Sequence, residues 1–576
     1  MNNLRKVITI TFILMIFLSS CAQPTKAPTS EVSPTEPSTE VEEQKPTSLP
    51  TEAESEGEET EAGPEAILRI GWTSEIDTLN PLTTYSTEAT EVLQLIYDKL
   101  LGFSYEFIPQ PELAEEFSYS EDGLSITFKL RDNAVWHDGE PLTADDVVFT
   151  YTFIRDNEIG GYAKWLTHLE SATADDPSTV TLKFDLPQAF NPAVSVPILP
   201  KHVWGEMSVE DVEVFANDNP VGSGPYRFVE WQEGSQLTLE RNPDFWGSQP
   251  APSKVIYVLY GNEDVMAQAL KGGEIDIITE VPPTIWDGLT DVENVKAVSL
   301  PSFSFHHIGM NVYENEASLG NPALLDKEVR HALDYAIDRN QLVQIALAGH
   351  GRPGGSILPI GITEWYLEIP EDLKMDADPE QAKAILEAAG YIDSDGDGVR
   401  EDADGNPLEF RIIAIEATAV DVRAAQLFRD SAAEVGIKLD LQTMDENTLG
   451  DIVYNVDAPD WDLFVWGWDS EVPDPNYMLA VPLCSQIDGD NDVFYCNDEY
   501  DQMYDEQTVT IDSDARKAIV DDMQKIFYDD SAYIVMWYQD KLQAYRTDTW
   551  EGWTEIPGGL IYNITRLNYL DITPAE

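Results

Sequence analysis

The sequence predicts an α/β protein of two or three lobes built on mixed sheets, and three observations predict it. The chain has 576 residues, more than a single hydrophobic core usually supports. Its 14 Trp and 24 Tyr supply ample material for buried cores. Segments with the period of a strand interleave with segments of helical period, without an internal repeat.

The predicted strands alternate apolar and polar residues, as expected where one face of a sheet is buried. In the predicted strand 124–139, four apolar residues share one face before an Asp-Gly turn: Leu124, Ile126, Phe128 and Leu130. The predicted strands are residues 66–72, 124–139, 179–187, 237–246, 408–415, 437–444, 461–468 and 532–538.

The predicted helices carry apolar residues at helical spacing and recognisable end signals. Thr143 is placed as an N-cap with acids in the first turn after it. Pro379 occupies a first helical position, and Gly390 stops the same helix. The predicted helices are residues 87–103, 143–156, 324–347 (one or two helices), 378–391, 420–437 and 514–530.

The formal net charge of −72 narrows the class of partner. It excludes nucleic acid, because binding phosphates requires clusters of Lys and Arg. Solubility of the surface or adaptation to salt explains such a charge, and a cationic ligand also fits it.

Residues 1–20 predict a lipoprotein signal peptide. Two basic residues precede an apolar run at 7–18, which is too short to span a bilayer as a helix. The following "LSSC" resembles the bacterial lipobox, in which small residues precede a Cys that is lipidated and becomes the new N-terminus. The resemblance implies a lipid anchor on Cys21, and an ordinary secretory peptide with an incidental Cys is the alternative.

Residues 21–66 are predicted to be a disordered tether. They consist largely of Pro, Thr, Ser and Glu, with almost no large apolar side chain. Such a composition cannot bury enough surface to offset the entropy of ordering the chain. Proline and repulsion between Glu side chains keep such a segment extended, so it would hold a folded body away from a membrane.

The two remaining cysteines, Cys484 and Cys496, are predicted to form a disulfide. An exported protein meets oxidising conditions, and the two residues are closely spaced. Closing the loop would contribute roughly 3 kcal/mol in the chain-entropy treatment. Two free thiols are the alternative, and a metal site is disfavoured because no His is near.

Four stretches of the chain stand in a recognisable order: "LSITFKLRDNAVWHDGEPLTADDVVFTYTF", "NPVGSGPYRFVEWQEGSQLTLERNPDFWG", "ALKGGEIDII" and "VRHALDYAIDRNQLV". They resemble the recurring blocks of the family 5 extracellular solute-binding proteins. These are dipeptide and oligopeptide receptors of ABC importers, with some nickel and oligosaccharide binders among them. The resemblance spans the chain from Ile67 to its C-terminus.

The resemblance implies a two-lobed, periplasmic-binding-protein-like fold of type II, cluster C. The ligand would be enclosed between lobes joined by a hinge. Lobe I would comprise residues 67–103, 218–300 and 540–576, with an extra subdomain at 104–217. Lobe II would comprise residues 301–539.

The segment "VWGWDSEVPDP" (465–475) resembles the ligand-binding segment of the peptide receptors. There a Trp is followed after two residues by an Asp that binds the peptide α-ammonium, and then by an acid and Pro. Counting back from the Asp-Pro places Trp468 on the family Trp and Glu471 on that Asp, with Asp469 able to substitute. Trp466 or Trp468 would stack on a ligand ring or cation. The alternative is a core Trp468 with the acids at the rim.

The sequence differs from that of the dipeptide receptors at the residue that would bind the C-terminal carboxylate of the ligand. Dipeptide receptors carry an Arg in the loop before the helix resembling 420–437, and it clamps the ligand carboxylate. Here that loop, 414–422, contains no Arg, and Arg423 falls on the helix itself. This disfavours strict dipeptides and leaves longer peptides or an oligosaccharide open.

His306 and His307 follow "SFSF" where the chain is expected to cross between the lobes. Phe305 and His307 are candidates for the cleft lining, and ordinary strand residues are the alternative. A nickel receptor is poorly supported because the chain has only 7 His.

The stretch "DSDGDGVREDAD" (393–404) resembles a calcium loop, with oxygen ligands at spacings that can converge on one hard cation. A plain turn is the alternative, because the last position prefers the longer Glu. The candidate ligands of a structural calcium are Asp393, Asp395, Asp397, Glu401 and Asp404.

These observations together predict a receptor that captures peptides in a cleft and delivers them to ABC permease subunits. It would be a monomeric, extracytoplasmic lipoprotein held to the bilayer by its anchor, and it would need no cofactor. Alternatives are an oligosaccharide-binding receptor of the same family, a secreted glycosidase using two carboxylates, and an adhesive lipoprotein. No nucleophile–base arrangement is evident, so no catalytic residue is predicted.

Overall fold

The computed structural model describes residues 66–470 and 472–576, all of which fall in one compact unit. The predicted signal peptide, Cys21, nearly all of the tether and Glu471 lie outside the described residues. No helix of the described ranges has both the length and the apolar character needed to cross a membrane.

The described residues form twenty strands and fifteen α-helices. The strands are β1 (Ile67–Trp72), β2 (Leu101–Phe103), β3 (Pro109–Pro111), β4 (Ala114–Tyr119), β5 (Ser125–Leu130), β6 (Leu169–Asp176), β7 (Thr179–Phe184), β8 (Tyr226–Gln232), β9 (Gln236–Arg241), β10 (Lys254–Leu259), β11 (Ile277–Ile278), β12 (Val295–Pro301), β13 (Ser304–Met310), β14 (Gly351–Pro353), β15 (Glu409–Ile415), β16 (Lys438–Met444), β17 (Leu463–Asp469), β18 (Tyr533–Arg546), β19 (Trp550–Glu551) and β20 (Thr573–Pro574). The helices are α1 (Thr87–Ile96), α2 (Ala144–Asn157), α3 (Lys201–Trp204), α4 (Val209–Glu213), α5 (Glu263–Gly272), α6 (Pro283–Thr290), α7 (Lys327–Ala336), α8 (Arg339–Ala346), α9 (Pro379–Ala389), α10 (Ala419–Glu434), α11 (Glu446–Val453), α12 (Asn476–Ala480), α13 (Asp498–Val509), α14 (Ser513–Asp530) and α15 (Leu567–Asp571).

A twelve-stranded mixed sheet runs through the molecule, and β18 joins its two halves. The first residues of β18 pair with β13, from Tyr533 to Trp537, and β14 pairs along it as far as Gln539. From Asp540 onward β18 pairs instead with β12, and its end also pairs with β11. One half of the sheet therefore contains β1 and β8–β12, the other contains β13–β17, and both share β18.

A separate four-stranded antiparallel sheet, in the order β4-β5-β7-β6, carries α2 beside it. Ile126, Phe128 and Leu130 of β5 are fully buried, as their alternation predicts. Thr143 and Asp146 form a reciprocal capping box at the start of α2, which confirms the predicted N-cap.

Several predicted elements differ from the structure in their extent. The predicted strands 124–139 and 237–246 end early, at Leu130 and Arg241. The predicted helix 87–103 ends at Ile96, because Tyr97 takes an extended conformation before Leu101–Phe103 forms a strand. The predicted strand 532–538 continues to Arg546, because new partners from the other half of the sheet take over its hydrogen bonds. In contrast, α9 begins at Pro379 and ends before Gly390 in a left-handed conformation, as predicted.

The predicted disulfide is confirmed: Cys484 and Cys496 are bonded, with their Cα atoms 4.5 Å apart. Inside the loop that it closes, the buried Asn491 donates to the carbonyls of Leu483 and Tyr495. The loop between the cysteines is thus held both covalently and by internal hydrogen bonds.

Candidate functional site

Three adjoining cavities form a cleft beside the junction of the two halves of the sheet. The central cavity has a volume of about 600 Å³ and lies against β13, β17 and residues 539–541 of β18. A hinge cavity of about 410 Å³ shares Glu280 and residues 539–541 with it. An outer cavity of about 690 Å³ shares Thr87 and Asn563 with it and extends along α1. Because the central cavity shares lining residues with both of the others, the three together offer room for an elongated ligand.

The two sides of the central cavity come from different halves of the sheet. One side is formed by α1, by the segment after β11 and by the C-terminal residues around Tyr562. The other is formed by β13, β17 and the first turns of α10 and α11. Seven of the 24 residues that line it are acids: Glu88, Glu91, Glu280, Asp421, Glu446, Asp469 and Asp540.

The structure places three of the predicted ligand residues at this cavity. Trp466 and Trp468 are half-buried and contribute to its lining, and the exposed Asp469 lies beside them at the end of β17. The role predicted for Glu471 stays a prediction, because this residue is outside the described part of the chain.

The structure corrects the prediction for Phe305 and His307. Both side chains are fully buried, and neither lines the cavity. Strand alternation explains the difference, because successive residues of β13 point to opposite faces. Ser304 and His306 are the residues of this strand that line the cavity.

His306 is the basic side chain of this side of the cleft. Its Nδ1 lies 2.8 Å from Oδ1 of Asp421, which is buried in the first turn of α10. Burial alone would lower the pKa of His306, but the hydrogen bond and charge of Asp421, with the charge of Asp469, raise it overall. Gly467 lies opposite, and a Cβ there would approach Nε2 of His306 to 2.9 Å. A residue without a side chain is therefore required at position 467.

Asp492, which sequence reasoning missed, holds the two tryptophans from behind. Its Oδ2 accepts hydrogen bonds from Nε1 of Trp466 at 2.9 Å and from Nε1 of Trp468 at 3.0 Å. Its Oδ1 accepts from the hydroxyl of Tyr533, and Nε2 of His307 lies 3.5 Å from Oδ2. Nothing in the sequence distinguishes Asp492 from Asp488 and Asp490 of the same disulfide loop; its burial and its partners do.

The other acids near the tryptophans have separate structural roles. Asp462 accepts hydrogen bonds from the backbone N–H and Nε of Arg411, at 2.8 and 3.0 Å. Asp474 forms a buried, bidentate pair with Arg516, at 2.8 and 2.9 Å. The acids around the two Trp therefore have two different roles. Asp469 faces the cleft, whereas Asp462, Asp474 and Asp492 are paired inside the protein.

Arg423 does not replace the Arg that clamps the ligand carboxylate in dipeptide receptors. Its Nη1 donates to the carbonyl of Ile345 at 3.1 Å, and it is not among the residues that line the central, hinge or outer cavity. The basic side chains among the residues that line the central cavity are His306 and Lys541.

The predicted calcium loop brings four of its five acids together. Carboxylate oxygens of Asp393, Asp395, Asp397 and Glu401 lie within 4.8 Å of one another. Asp404 is outside this group, and its backbone N–H donates to Oδ1 of Asp402 in the next turn, which corrects the predicted twelfth ligand. Backbone N–H groups also donate to these carboxylates, as in a plain turn. Calcium binding stays a prediction.

Comparison with known proteins adds a family assignment to this geometry. Residues 109–489 match the profile described as bacterial extracellular solute-binding proteins, family 5 middle. The oligopeptide-binding protein AppA of Bacillus subtilis is 29% identical over 514 residues, covering 87% of this chain and 91% of AppA.

Solved structures show the same fold. AppA of Bacillus subtilis in complex with a nonapeptide superposes with a TM-score of 0.69 at 25% identity, covering 89% of this chain and 100% of AppA. The ABC transporter substrate-binding protein CtaP of Listeria monocytogenes gives a TM-score of 0.76 at 24% identity, covering 89% of this chain and 100% of CtaP.

Proposed function

Because the chain belongs to the bacterial extracellular solute-binding proteins of family 5, we propose that it is the receptor of an ABC importer and captures peptides. The observation that carries the proposal is the cleft of three connected cavities beside β18, lined by Trp466, Trp468 and Asp469. A relative of similar fold is named for oligopeptide binding and was solved with a nonapeptide.

The peptide N-terminus would lie at the end of β17. An α-ammonium donating to a carboxylate makes charge-assisted hydrogen bonds worth roughly 1.5–3 kcal/mol. Asp469, together with Glu471 as the sequence predicts, would supply the acceptor. The length of the connected space favours peptides longer than two residues.

Capture would proceed by closure of the two sides of the cleft about β18. The family is one of binding proteins, and the cargo would be handed unchanged to membrane permease subunits. The change of partners at Gln539 and Asp540 is where bending would displace one side relative to the other.

The predicted anchor completes the proposal. A lipid on Cys21 would hold the protein at the outer face of a membrane, and residues 21–66 would let the folded body extend away from that membrane. Mass spectrometry of the mature N-terminus tests this directly. We expect a lipid-modified Cys21 and, for Cys21→Ser, release of the protein into the medium; an unmodified, uncleaved terminus contradicts the anchor.

Small-angle scattering and calorimetry test the receptor function. A mixed library of short peptides should bind stoichiometrically and reduce the radius of gyration reversibly, with no peptide consumed. Asp469→Asn and Glu471→Ala should weaken binding without lowering the melting temperature. Failure of every peptide to bind, or its hydrolysis, overturns the proposal.

A further inference from the structure

Glu91 is a buried carboxyl group of the central cavity that the proposed binding of the α-ammonium does not use. It lies on α1, on the side of the cleft away from β17, and its exposed fraction is 4%. No described donor makes a hydrogen bond to its fully buried Oε2, although the indole of Trp72, whose Nε1 is likewise buried without a hydrogen-bond partner among the described residues, lies near enough to act on the pKa of Glu91. Buried carboxyl oxygens are normally satisfied, so an unsatisfied one beside a cavity indicates a partner supplied by a ligand.

The groups around Glu91 make its surroundings electronegative. Glu88, one turn earlier on α1, and Glu280, after β11, line the same cavity. The nearest cation, Lys541, is paired with Glu280 at 3.5 Å. Lys541 acts on Glu91 through its charge but forms its ion pair with Glu280, so a second ligand cation would find an acceptor here that is not already in an ion pair among the described residues.

The ionisation of Glu91 is consistent with this arrangement. Burial raises the pKa of Glu91 to about 8; Lys541 opposes the rise, Glu88 adds to it, the indole of Trp72 opposes it, and Glu280 adds to it. Near pH 7 the carboxyl therefore retains its proton until a cation approaches.

We propose that Glu91, with Glu88 and Glu280, forms a second cation-binding subsite that takes the ammonium or guanidinium of a basic peptide side chain. The inference rests on the proposed function and deepens it: the preferred cargo is a cationic peptide, held by its N-terminus near Asp469 and by a Lys or Arg side chain at Glu91. Binding would ionise Glu91 and release its proton to the buffer.

The test is calorimetry with pentaalanine peptides in which one inner position is Lys, Gln or norleucine. Wild type should bind the best Lys peptide about tenfold or more tightly than its norleucine and Gln counterparts. Glu91→Gln should abolish that difference, whereas Glu416→Gln, which removes one exposed charge beside the cavity but outside its lining, should preserve it. Binding of the Lys peptide near pH 7 should release a proton, seen as a heat that depends on the buffer, and Glu91→Gln should remove this release.

The outcomes separate this inference from the proposed function. Peptides that bind without a preference for Lys, or with a preference that survives in Glu91→Gln or is lost equally in Glu416→Gln, overturn the subsite alone. If no peptide binds but spermidine does, through Glu91, the subsite stands and the peptide function fails. If neither binds, both fail.

Discussion

Nε1 of Trp468 donates a 3.0 Å hydrogen bond to Oδ2 of Asp492, a carboxylate with no exposed surface. The same oxygen accepts from Trp466, and the other oxygen accepts from Tyr533. One buried acid thus positions two cleft residues from behind and ties β17 to β18. The two indole N–H groups and the hydroxyl all donate to Asp492, so this position needs a side chain that accepts hydrogen bonds at both of its oxygens.

Asp492→Asn should disturb the cleft, because the new amide N–H₂ would face indole and hydroxyl donors. We expect a loss of about 2–4 kcal/mol in the free energy of unfolding and a weaker peptide affinity. Denaturant unfolding and tryptophan emission measure the two effects. Asp490→Asn, an exposed acid of the same loop, is the control and should behave as wild type.

Removing the disulfide should loosen the loop that carries Asp492. We expect Cys484→Ser/Cys496→Ser to lose roughly 3 kcal/mol of stability in the chain-entropy treatment and to lose peptide affinity as well. Thermal unfolding with and without a reductant measures this. The reductant should lower the melting temperature of wild type only; equal curves for both proteins would mean that the loop keeps its conformation without the bond.

Glu91 should give stability a characteristic dependence on pH. Its pKa rises from about 4.5 when unfolded to about 8 when folded, so the folded protein holds a proton that the unfolded chain releases. The associated stability is complete below about 4.5 and is lost as the pH rises through 8. Denaturant unfolding from pH 5 to 9 should therefore show Glu91→Gln gaining stability relative to wild type as the pH increases. Parallel curves would contradict the buried, protonated carboxyl.

Arg516 should be required for the conformation of the segment that follows the cleft tryptophans. Arg516→Met leaves Asp474 buried without its partner, at an expected cost of about 3–5 kcal/mol. Denaturant unfolding measures this cost, and Arg516→Met/Asp474→Asn should recover part of it. Arg429→Met, which removes an exposed pair with Asp430, should cost less than about 1 kcal/mol.

Calcium should stabilise the protein if the loop at 393–401 binds it. Four clustered carboxylates repel one another, and a divalent cation would relieve that repulsion. We expect millimolar calcium to raise the melting temperature by a few degrees, and Asp395→Asn/Asp397→Asn to remove the response. An unchanged melting temperature in wild type would identify the loop as a plain turn held by its backbone hydrogen bonds.

Several features could be predicted from the sequence because contiguous residues encode them. The alternation of apolar and polar residues predicted β1 and β5, and residues typical of helix ends predicted α2 and α9. The close spacing of Cys484 and Cys496 predicted their disulfide. The tryptophan and acid pattern of 465–475 predicted residues of the cleft, whereas Phe305 and His307, which were also predicted there, lie buried away from it. The fold and family followed from the order of whole segments.

The features that could not be predicted from the sequence depend on contacts between residues that are distant in the chain. Asp492 lies 24 residues from Trp468, and Gln94 of α1 bonds to the carbonyl of Tyr562, 468 residues away. Charge and composition are the same for a paired acid and an unpaired one, so the sequence could not separate Asp492 from Asp469 or single out Glu91. Ionisation and availability to a ligand are set by burial and by the nearest partners, and only the tertiary structure decides those.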